Sequence, residues 1–329
     1  MAIPLSILDL VPISEGKMPS DAIDASMSAA RLADSLGYER VWFAEHHNTE
    51  GVASSATALL VAEAASQTER IRVGSGGVML PNHSPLMVAE QYGTLATRFG
   101  DRIELGLGRA PGTDPMTARA LSRSSGEPQE FATNIYDLQG WFGEDGVAHS
   151  QPILSTMSAG TNVPIWVLGS SVNGASIAGQ LGLPFSLASH FLAADAPEII
   201  DVYRRSFSTE SPTAILTAPR VMAGINVFVA PTDDEAEFQY TTAMQRVMDN
   251  ARGQRRRLQP PVDPAELRRE EGADRAYARY RAVGSRDTVK RELEAFVALT
   301  GADELIVATY AFDPALRERS LRMLAEVWF

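Results

Sequence analysis

The sequence of 329 residues predicts a single (β/α)₈ barrel, in which eight parallel strands are each followed by a helix. Eight short apolar runs alternate with helix-like segments, a pattern typical of parallel strands joined by helices. The length suits one barrel with insertions, and polar or glycine-rich residues follow several strands, where such barrels build their active sites. An open doubly wound sheet is the competing architecture, but no GxGxxG pattern follows the first strand.

The individual elements follow from local patterns. Apolar runs bounded by turn residues predict strands at 5–10, 40–44, 71–74, 102–107, 164–168, 185–188, 221–230 and 304–308. Helical periodicity, with capping residues at the start, predicts helices at 20–36, 54–67, 85–99, 128–142, 173–181, 196–207, 287–299 and 314–327. Further helices are predicted to begin at Asp114 and at Thr232, because both residue types cap helix N-termini.

A charged segment at about 249–282 separates the last two predicted strands. It contains the basic run 252–257 and a break at Pro260 and Pro261. A basic run can bind nucleic acid, but a solvated helix face or a lid is favoured in a chain that is acidic overall. We therefore predict one barrel domain over 1–329, with an insertion or mobile lid at about 249–282.

Composition restricts the classes of function. The formal net charge of −12 disfavours nucleic-acid or membrane-surface binding by bulk electrostatics, while leaving room for a local cationic pocket. There are no cysteines, so disulfides, thiolate metal ligands and a cysteine nucleophile are excluded. The first residues lack a signal-peptide pattern. No uninterrupted apolar run is as long as the roughly 18 residues that a membrane-spanning helix needs. We expect a cytoplasmic protein.

A phosphate-binding site is predicted where the fourth and fifth strands end. Arg109 follows the fourth strand, and its planar guanidinium suits a phosphate, although a surface salt bridge is an equally ordinary role. Small residues at a helix start follow the fifth strand: Gly169, Ser170, Ser171 and Gly174. Their backbone N–H groups and hydroxyls can converge on an anion, or simply cap the helix. Neighbouring strands bring the two features together.

Histidines follow three of the predicted strands: His46 with His47, His83, and His190. A structural role is common for any one histidine, but this distribution favours a site at one mouth of the barrel. We expect only one of His46 and His47 to face the pocket, because neighbouring strand residues alternate. A metal site is the alternative, and it is disfavoured because neither H-x-H nor H-E-x-x-H occurs.

Gly74 ends the predicted third strand, and Gly76 and Gly77 follow it. They form either a tight connection or a surface that a flat ring can approach, since glycine has no side chain to clash. Trp42, Phe43 and Trp166 are predicted core residues because of the strand periodicity.

Several blocks together resemble the bacterial luciferase-like flavin monooxygenase family. They are 41–48 (VWFAEHHN), 73–85 (VGSGGVMLPNHSP), 98–109 (RFGDRIELGLGR), 168–171 (LGSS), 181–185 (LGLPF), 188–191 (ASHF) and 283–285 (VGS). The resemblance covers nearly the whole chain in the family's order. It implies a (β/α)₈ barrel that binds FMN, generally as a homodimer. Reduced FMN is often supplied by a separate flavin reductase, and dioxygen is used to oxygenate a small organic substrate.

The resemblance also implies roles for individual residues. His46 matches the active-site histidine and Glu45 lies beside it, so we predict both as catalytic residues. We hypothesise that His46 is an acid/base or hydrogen-bond partner to the flavin peroxide. The predicted cofactor-binding residues are Gly76, Gly77, Arg109, Gly169, Ser170, Ser171 and Gly174, with a cis peptide expected at the glycine pair. His83, His190 and Phe191 are predicted to line the substrate pocket.

Three alternatives remain beside the monooxygenase. They are a deazaflavin-dependent dehydrogenase, a non-catalytic flavin-binding protein and a metal-dependent barrel hydrolase. The phosphate contacts would serve FMN and a deazaflavin equally. Gly108 stands where bacterial luciferase has a cysteine, so light emission does not follow from the resemblance.

Overall fold

A closed parallel barrel forms the centre of the protein, for which a computed structural model describes residues 3–121, 123–193, 195–277 and 279–329. Met1 and Ala2 of the predicted domain, and Ala278 of the predicted lid, lie outside these residues. Within the described ranges the strands are β1 (Leu5–Asp9), β2 (Arg40–Phe43), β3 (Arg72–Met79), β4 (Ile103–Gly108), β5 (Ile165–Gly169), β6 (Phe185–Leu187), β7 (Val221–Val229), β8 (Arg281–Gly284) and β9 (Glu304–Ala308).

Twelve α-helices are found in the same described residues. They are α1 (Pro19–Leu36), α2 (Thr57–Ser66), α3 (Pro85–Phe99), α4 (Pro115–Ala120), α5 (Pro128–Phe142), α6 (Val172–Gln180), α7 (Ala196–Ser206), α8 (Asp233–Ala251), α9 (Pro264–Leu267), α10 (Ala273–Tyr277), α11 (Arg286–Thr300) and α12 (Pro314–Trp328). The predicted caps are confirmed, since Asp114 accepts from the N–H groups of α4 and Thr232 from that of Glu235 in α8. No helix in these ranges is both long and apolar enough to cross a membrane.

Strand pairing confirms the predicted barrel. β1 to β7 pair in chain order, and β9 joins β7 to β1, so the ring closes through eight parallel strands. All nine residues of β7 are buried, as expected where helices cover a strand that also faces the barrel interior. Strand β8 is not among the predicted strands. It pairs with the carboxyl-terminal part of β7, from Asn226 to Val229, and is not one of the eight strands that close the ring.

The glycine-rich run at 74–77 lies within β3, which corrects the prediction that this strand ends at Gly74. A Cβ on Gly74 would lie 2.5 Å from the carbonyl oxygen of Glu104, and one on Gly106 would lie 2.2 Å from that of Ser75. The two strands thus approach too closely for side chains at these positions. The register between β3 and β4 shifts after Gly76, and the peptide bond between Gly76 and Gly77 is cis, as the resemblance implies.

A buried ion cluster closes the amino-terminal end of the barrel. Arg40 donates to Glu104 at 2.6 Å and to Glu304 at 2.6 Å, and all three side chains are almost fully buried. The Trp166 ring lies 5.1 Å from the guanidinium carbon. The cluster occupies the end opposite the carboxyl-terminal mouth, where the loops after the strands build the site.

The predicted lid crosses the carboxyl-terminal mouth. Its backbone contacts the loops after β1 and β2: Leu258 donates to the carbonyl of Ile13 at 2.8 Å, and Glu50 donates to that of Arg255 at 3.2 Å. Mobility of this segment stays a prediction. We expect bound flavin to slow tryptic cleavage within the basic run 252–257, because a ligand beneath the segment stabilises its closed position. Mass spectrometry of the fragments measures the cleavage rates. Equal rates with and without FMN would argue for a fixed segment.

Candidate active site

A cavity of about 540 Å³ opens at the carboxyl-terminal mouth of the barrel. Nine of the predicted site residues line it: His46, Gly76, Arg109, Gly169, Ser170, Ser171, Gly174, His190 and Phe191. Residues in or after five different strands therefore meet at one place, as expected for an active site of this fold. Glu45, Gly77 and His83 are not among the described residues that line the cavity.

One end of the cavity is cationic. Arg109 and Arg123 both line it, and each is anchored through a backbone contact: Arg109 donates to the carbonyl of Gly126 at 3.1 Å, and Arg123 donates to that of Arg109 at 2.7 Å. Burial, together with the nearby charge of Arg109, lowers the pKa of Arg123. The charges of Glu130 and Glu45 offset this effect only in part, so a bound anion would stabilise the two guanidinium groups.

The amino terminus of α6 lies beside Arg109, because Gly108 at the end of β4 pairs with Leu168 near the end of β5. Ser171 is the N-cap, and its hydroxyl accepts from the N–H of Gly174 at 3.3 Å. Ser170 and Ser171 are exposed and line the cavity, so their hydroxyls and the first N–H groups of the helix are available to a ligand. The end of the cavity thus combines two cations with a helix N-terminus, a set of groups suited to a phosphate.

The rest of the cavity is an apolar slot. Its walls include Leu8, Leu10, Trp42, Leu168 and Ile306. Trp42 is a fully buried core residue as predicted, and it also forms part of the floor. A Cβ on Gly76 would lie 2.6 Å from the Leu8 side chain and 3.0 Å from that of Trp42, so a side chain at this point of the wall would displace both. An apolar slot with a few polar groups is the usual form of a cofactor site.

Glu45 is the centre of a hydrogen-bond network beside the cavity. Its carboxylate is 2.9 Å from His47 Nε2 and 2.9 Å from His83 Nε2, and it accepts from the N–H of Met79 at 2.9 Å. Burial opposes ionisation of this group, but the contacts with His83, His47 and Met79 lower the pKa of Glu45 to about 2. A carboxylate this well satisfied ties the loop after β2 to the end of β3, rather than facing a ligand.

His46 and His190 have lowered pKa values. Burial, assisted by the charge of Arg246, lowers the pKa of His46 to about 4. Burial and the charges of Arg279 and Arg246 lower the pKa of His190 to about 3. Both rings are therefore neutral at pH 7. Both nitrogens of the His190 ring and the Nδ1 of His46 are buried and have no hydrogen-bond partner among the described residues.

The low pKa of His190 predicts a stability change with pH. The unfolded histidine titrates near 6.5, so between pH 6.5 and about 3 the unfolded chain binds more protons and the free energy of unfolding falls as pH falls. We expect His190→Asn to reduce this slope by up to about 1.4 kcal/mol per pH unit, measured by urea unfolding between pH 7 and 4.5. His149→Asn, at an exposed position, is the control and should keep the wild-type slope. An unchanged slope in His190→Asn would contradict the assignment.

A second cavity of about 310 Å³ adjoins the first. The two share Leu10, His46, Gly112, His190 and Phe191, so both neutral histidines stand at the junction. His47 lines only the second cavity, which corrects the expectation that one of the two neighbouring histidines faces away: they follow β2 in a loop, where strand alternation does not hold.

Sequence reasoning did not find Arg123, nor the arginines of the second cavity. Arg123 lies in the irregular segment between α4 and α5, and its neighbours Ser125 and Gly126 are the only signal of a ligand-facing turn. Over the described part of the chain, no group of three or more His, Cys, Asp or Glu side chains is arranged to hold a metal ion.

A closed parallel barrel with a cavity at the carboxyl ends of its strands defines the class of (β/α)₈-barrel enzymes. The model of the luciferase-like monooxygenase family matches residues 4–308, and the chain belongs to that family.

Individual relatives match over almost the full length. The chain is 43% identical to "Uncharacterized protein YvbT" of Bacillus subtilis, covering 98% of this chain and 96% of the relative. It is 40% identical to a "Luciferase-like monooxygenase" of Escherichia coli K12, covering 99% and 97%. An "N-acetyl-S-alkylcysteine monooxygenase" of Bacillus subtilis is 34% identical over 71% of this chain and 70% of its own.

Solved structures show the same fold. The crystal structure of apo-MsnO8 superposes with a TM-score of 0.89 at 34% identity, covering 99% of this chain and 98% of that one. The oxygenating constituent of 3,6-diketocamphane monooxygenase from Pseudomonas putida, in complex with FMN, has a TM-score of 0.72 at 19% identity, covering 100% and 98%. An F420-dependent secondary alcohol dehydrogenase has 0.69 at 14%, covering all of both chains. The last two likenesses concern the fold alone.

Proposed function

We propose that this protein is a monooxygenase that uses reduced FMN and dioxygen to oxygenate a small organic substrate. The observation that carries the proposal is the single cavity in which a pair of guanidinium groups and a helix N-terminus adjoin an apolar slot. The slot ends at two neutral histidines with unpartnered ring nitrogens. The related monooxygenases and the fold shared with an FMN complex support it.

The residues present fit FMN. A volume of about 540 Å³ lies within the usual range for a ligand of this size. Arg109, Arg123, Ser170 and Ser171 would hold the phosphate, with the amino terminus of α6 adding its N–H groups. The flavin ring would lie in the apolar slot against Gly76.

Each group of the site then has a task. When bound, reduced FMN supplies the electrons with which dioxygen is activated. The apolar walls exclude water from the ring, and the segment over the mouth extends this protection. His46 stands where the two cavities meet, and its neutral imidazole can donate or accept a hydrogen bond there. We propose that Glu45 is a positioning residue, which holds the loop of His46 through His47 and Met79.

We also propose a cytoplasmic homodimer that receives reduced FMN from a separate flavin reductase. The exposed side chains of Leu59 on α2 and Met87 on α3 support a partner contact on this face of the barrel. Sedimentation analysis of wild type and Leu59→Glu tests the dimer. A monomer mass for the wild type would refute it.

Titrations with oxidised FMN, reduced FMN and F420 test which cofactor the protein binds. Cofactor fluorescence measures the binding. We expect FMN to bind in both redox states and F420 to bind more weakly. Incubation with reduced FMN, a library of small organic compounds and isotopically labelled dioxygen should then label a product with one oxygen atom. Preferential binding of F420, or hydride transfer without label, would establish the dehydrogenase instead.

A further inference from the structure

The second cavity carries an excess of positive charge in a protein that is acidic overall. Arg246 extends from α8, Arg255 follows that helix, and Arg279 precedes β8; all three line the cavity. No carboxylate is among the described residues that line it. A small cavity with several cations and no lining anion is built for a negatively charged ligand.

Two of these cations have no ion-pair partner among the described residues. Arg255 pairs with Asp114 at 3.4 Å. Two acidic residues of α8 are also engaged, since Glu237 pairs with Arg281 at 2.8 Å and Asp249 with Arg256 at 2.7 Å. Arg246 and Arg279 remain, and both are partly buried. Burial and the charge of Arg246 lower the pKa of Arg279, so the positive charges of the two guanidinium groups repel each other.

Aromatic rings hold these two side chains in place. The Arg246 guanidinium carbon lies 4.6 Å from the ring centre of Tyr310, and that of Arg279 lies 5.9 Å from the ring centre of Phe191. Stacking leaves the edge of a guanidinium free to donate hydrogen bonds. A planar carboxylate is the anion that matches this donor geometry.

The location connects this cationic site to the proposed reaction. Phe191 and His190 line both cavities, so a ligand bound at Arg246 and Arg279 borders the flavin slot. The phosphate-binding residues Arg109 and Arg123 line only the larger cavity, so the two cationic sites are separate.

We propose that the substrate is a small organic acid, whose carboxylate binds between Arg246 and Arg279 while its apolar remainder points toward His46 and the flavin slot. The role of the acid as substrate rests on the proposed function. The binding of a carboxylate in this cavity is independent of it.

Calorimetric titration of the FMN-loaded protein tests the proposal, with three acids and their amides as probes: propionate and propionamide, hexanoate and hexanamide, benzoate and benzamide. We expect at least one acid to bind about tenfold or more tightly than its amide, since hydrogen bonds to a charged group are the stronger ones. Inorganic phosphate should compete weakly, because it lacks an apolar part. Equal binding of acid and amide in all three pairs, no binding in any pair, or binding of phosphate alone would overturn the proposal.

Variants locate the site. Arg246→Gln and Arg279→Gln should each weaken binding of the preferred acid by about 10-fold or more, and leave its amide and FMN unchanged. Arg252→Gln is the matched control, because Arg252 pairs with Glu270 and is not among the residues that line either cavity. If Arg252→Gln weakens acid binding equally, the effect comes from the overall charge of the protein and not from a site at Arg246 and Arg279. If FMN does not bind, the same titrations are made on the protein without FMN. Acid binding that depends on Arg246 would then mean that the proposed function fails and the carboxylate site stands.

Discussion

His46→Ala is expected to slow reoxidation of protein-bound reduced FMN, or turnover once a substrate is known, by about 10²-fold or more, while the dissociation constant of FMN changes by less than about threefold. His46 lines both cavities at their junction, whereas the predicted phosphate contacts lie elsewhere in the larger one. Loss of the imidazole therefore removes a hydrogen-bond partner near the reacting atoms and little binding energy for the cofactor. Stopped-flow absorbance at the flavin bands measures the rate.

His149→Ala is the control for this experiment. His149 is an exposed histidine that packs on Tyr136 and is not among the residues that line either cavity. It should behave as wild type. An unchanged rate in His46→Ala would remove the role assigned to this residue.

Arg40→Met is expected to lower the free energy of unfolding by about 3–5 kcal/mol, because it removes the one buried cation that Glu104 and Glu304 share among the described residues. Arg72 and Arg220 remain as their partners, but at 3.5 and 3.4 Å and from partly exposed positions. Burial alone would lower the pKa of Arg40, but the charges of the two glutamates raise it overall, so the group is always charged. Ser6 and Trp42 also donate to these carboxylates, and neither supplies a positive charge. Urea unfolding gives the change in midpoint and slope.

Arg70→Met provides the contrast. Arg70 is 74% exposed and lies 3.9 Å from Asp34, so its loss should cost less than about 1 kcal/mol. Arg40→Met combined with Glu104→Gln and Glu304→Gln should recover part of the loss, because fewer buried charges remain. Equal stability of Arg40→Met and wild type would show that the cluster does not stabilise the barrel.

The barrel was predictable because each of its strands is a short apolar run between turn residues. Two features departed from that reading for local reasons. β3 continues through Gly74, Gly76 and Gly77, where the pattern suggests a turn, because the close approach of β4 leaves no room for side chains. β8 has only four residues, follows a charged segment and pairs with β7 outside the ring, so no periodicity marks it.

The site was predictable where a residue follows a strand and its chemistry is specific, as for Arg109, His46 and the serines before α6. The other contributors lie in irregular segments. Arg123, Arg246 and Arg279 come from three parts of the chain, and only the folded backbone brings them to the cavities. No spacing rule relates them. Glu45 was predicted as catalytic because of its neighbour His46, yet the structure shows its carboxylate engaged by His47, His83 and Met79.

The central claim is that the cationic end of the large cavity holds the phosphate of a flavin. Titration of wild type and Arg109→Gln with FMN and with riboflavin, which lacks the phosphate, tests it most directly. Wild type should prefer FMN by about 100-fold or more, and Arg109→Gln should lose about 10- to 100-fold of that preference while riboflavin binding stays constant. Equal affinity of wild type for FMN and riboflavin, or an equal loss for both ligands in Arg109→Gln, would contradict the account.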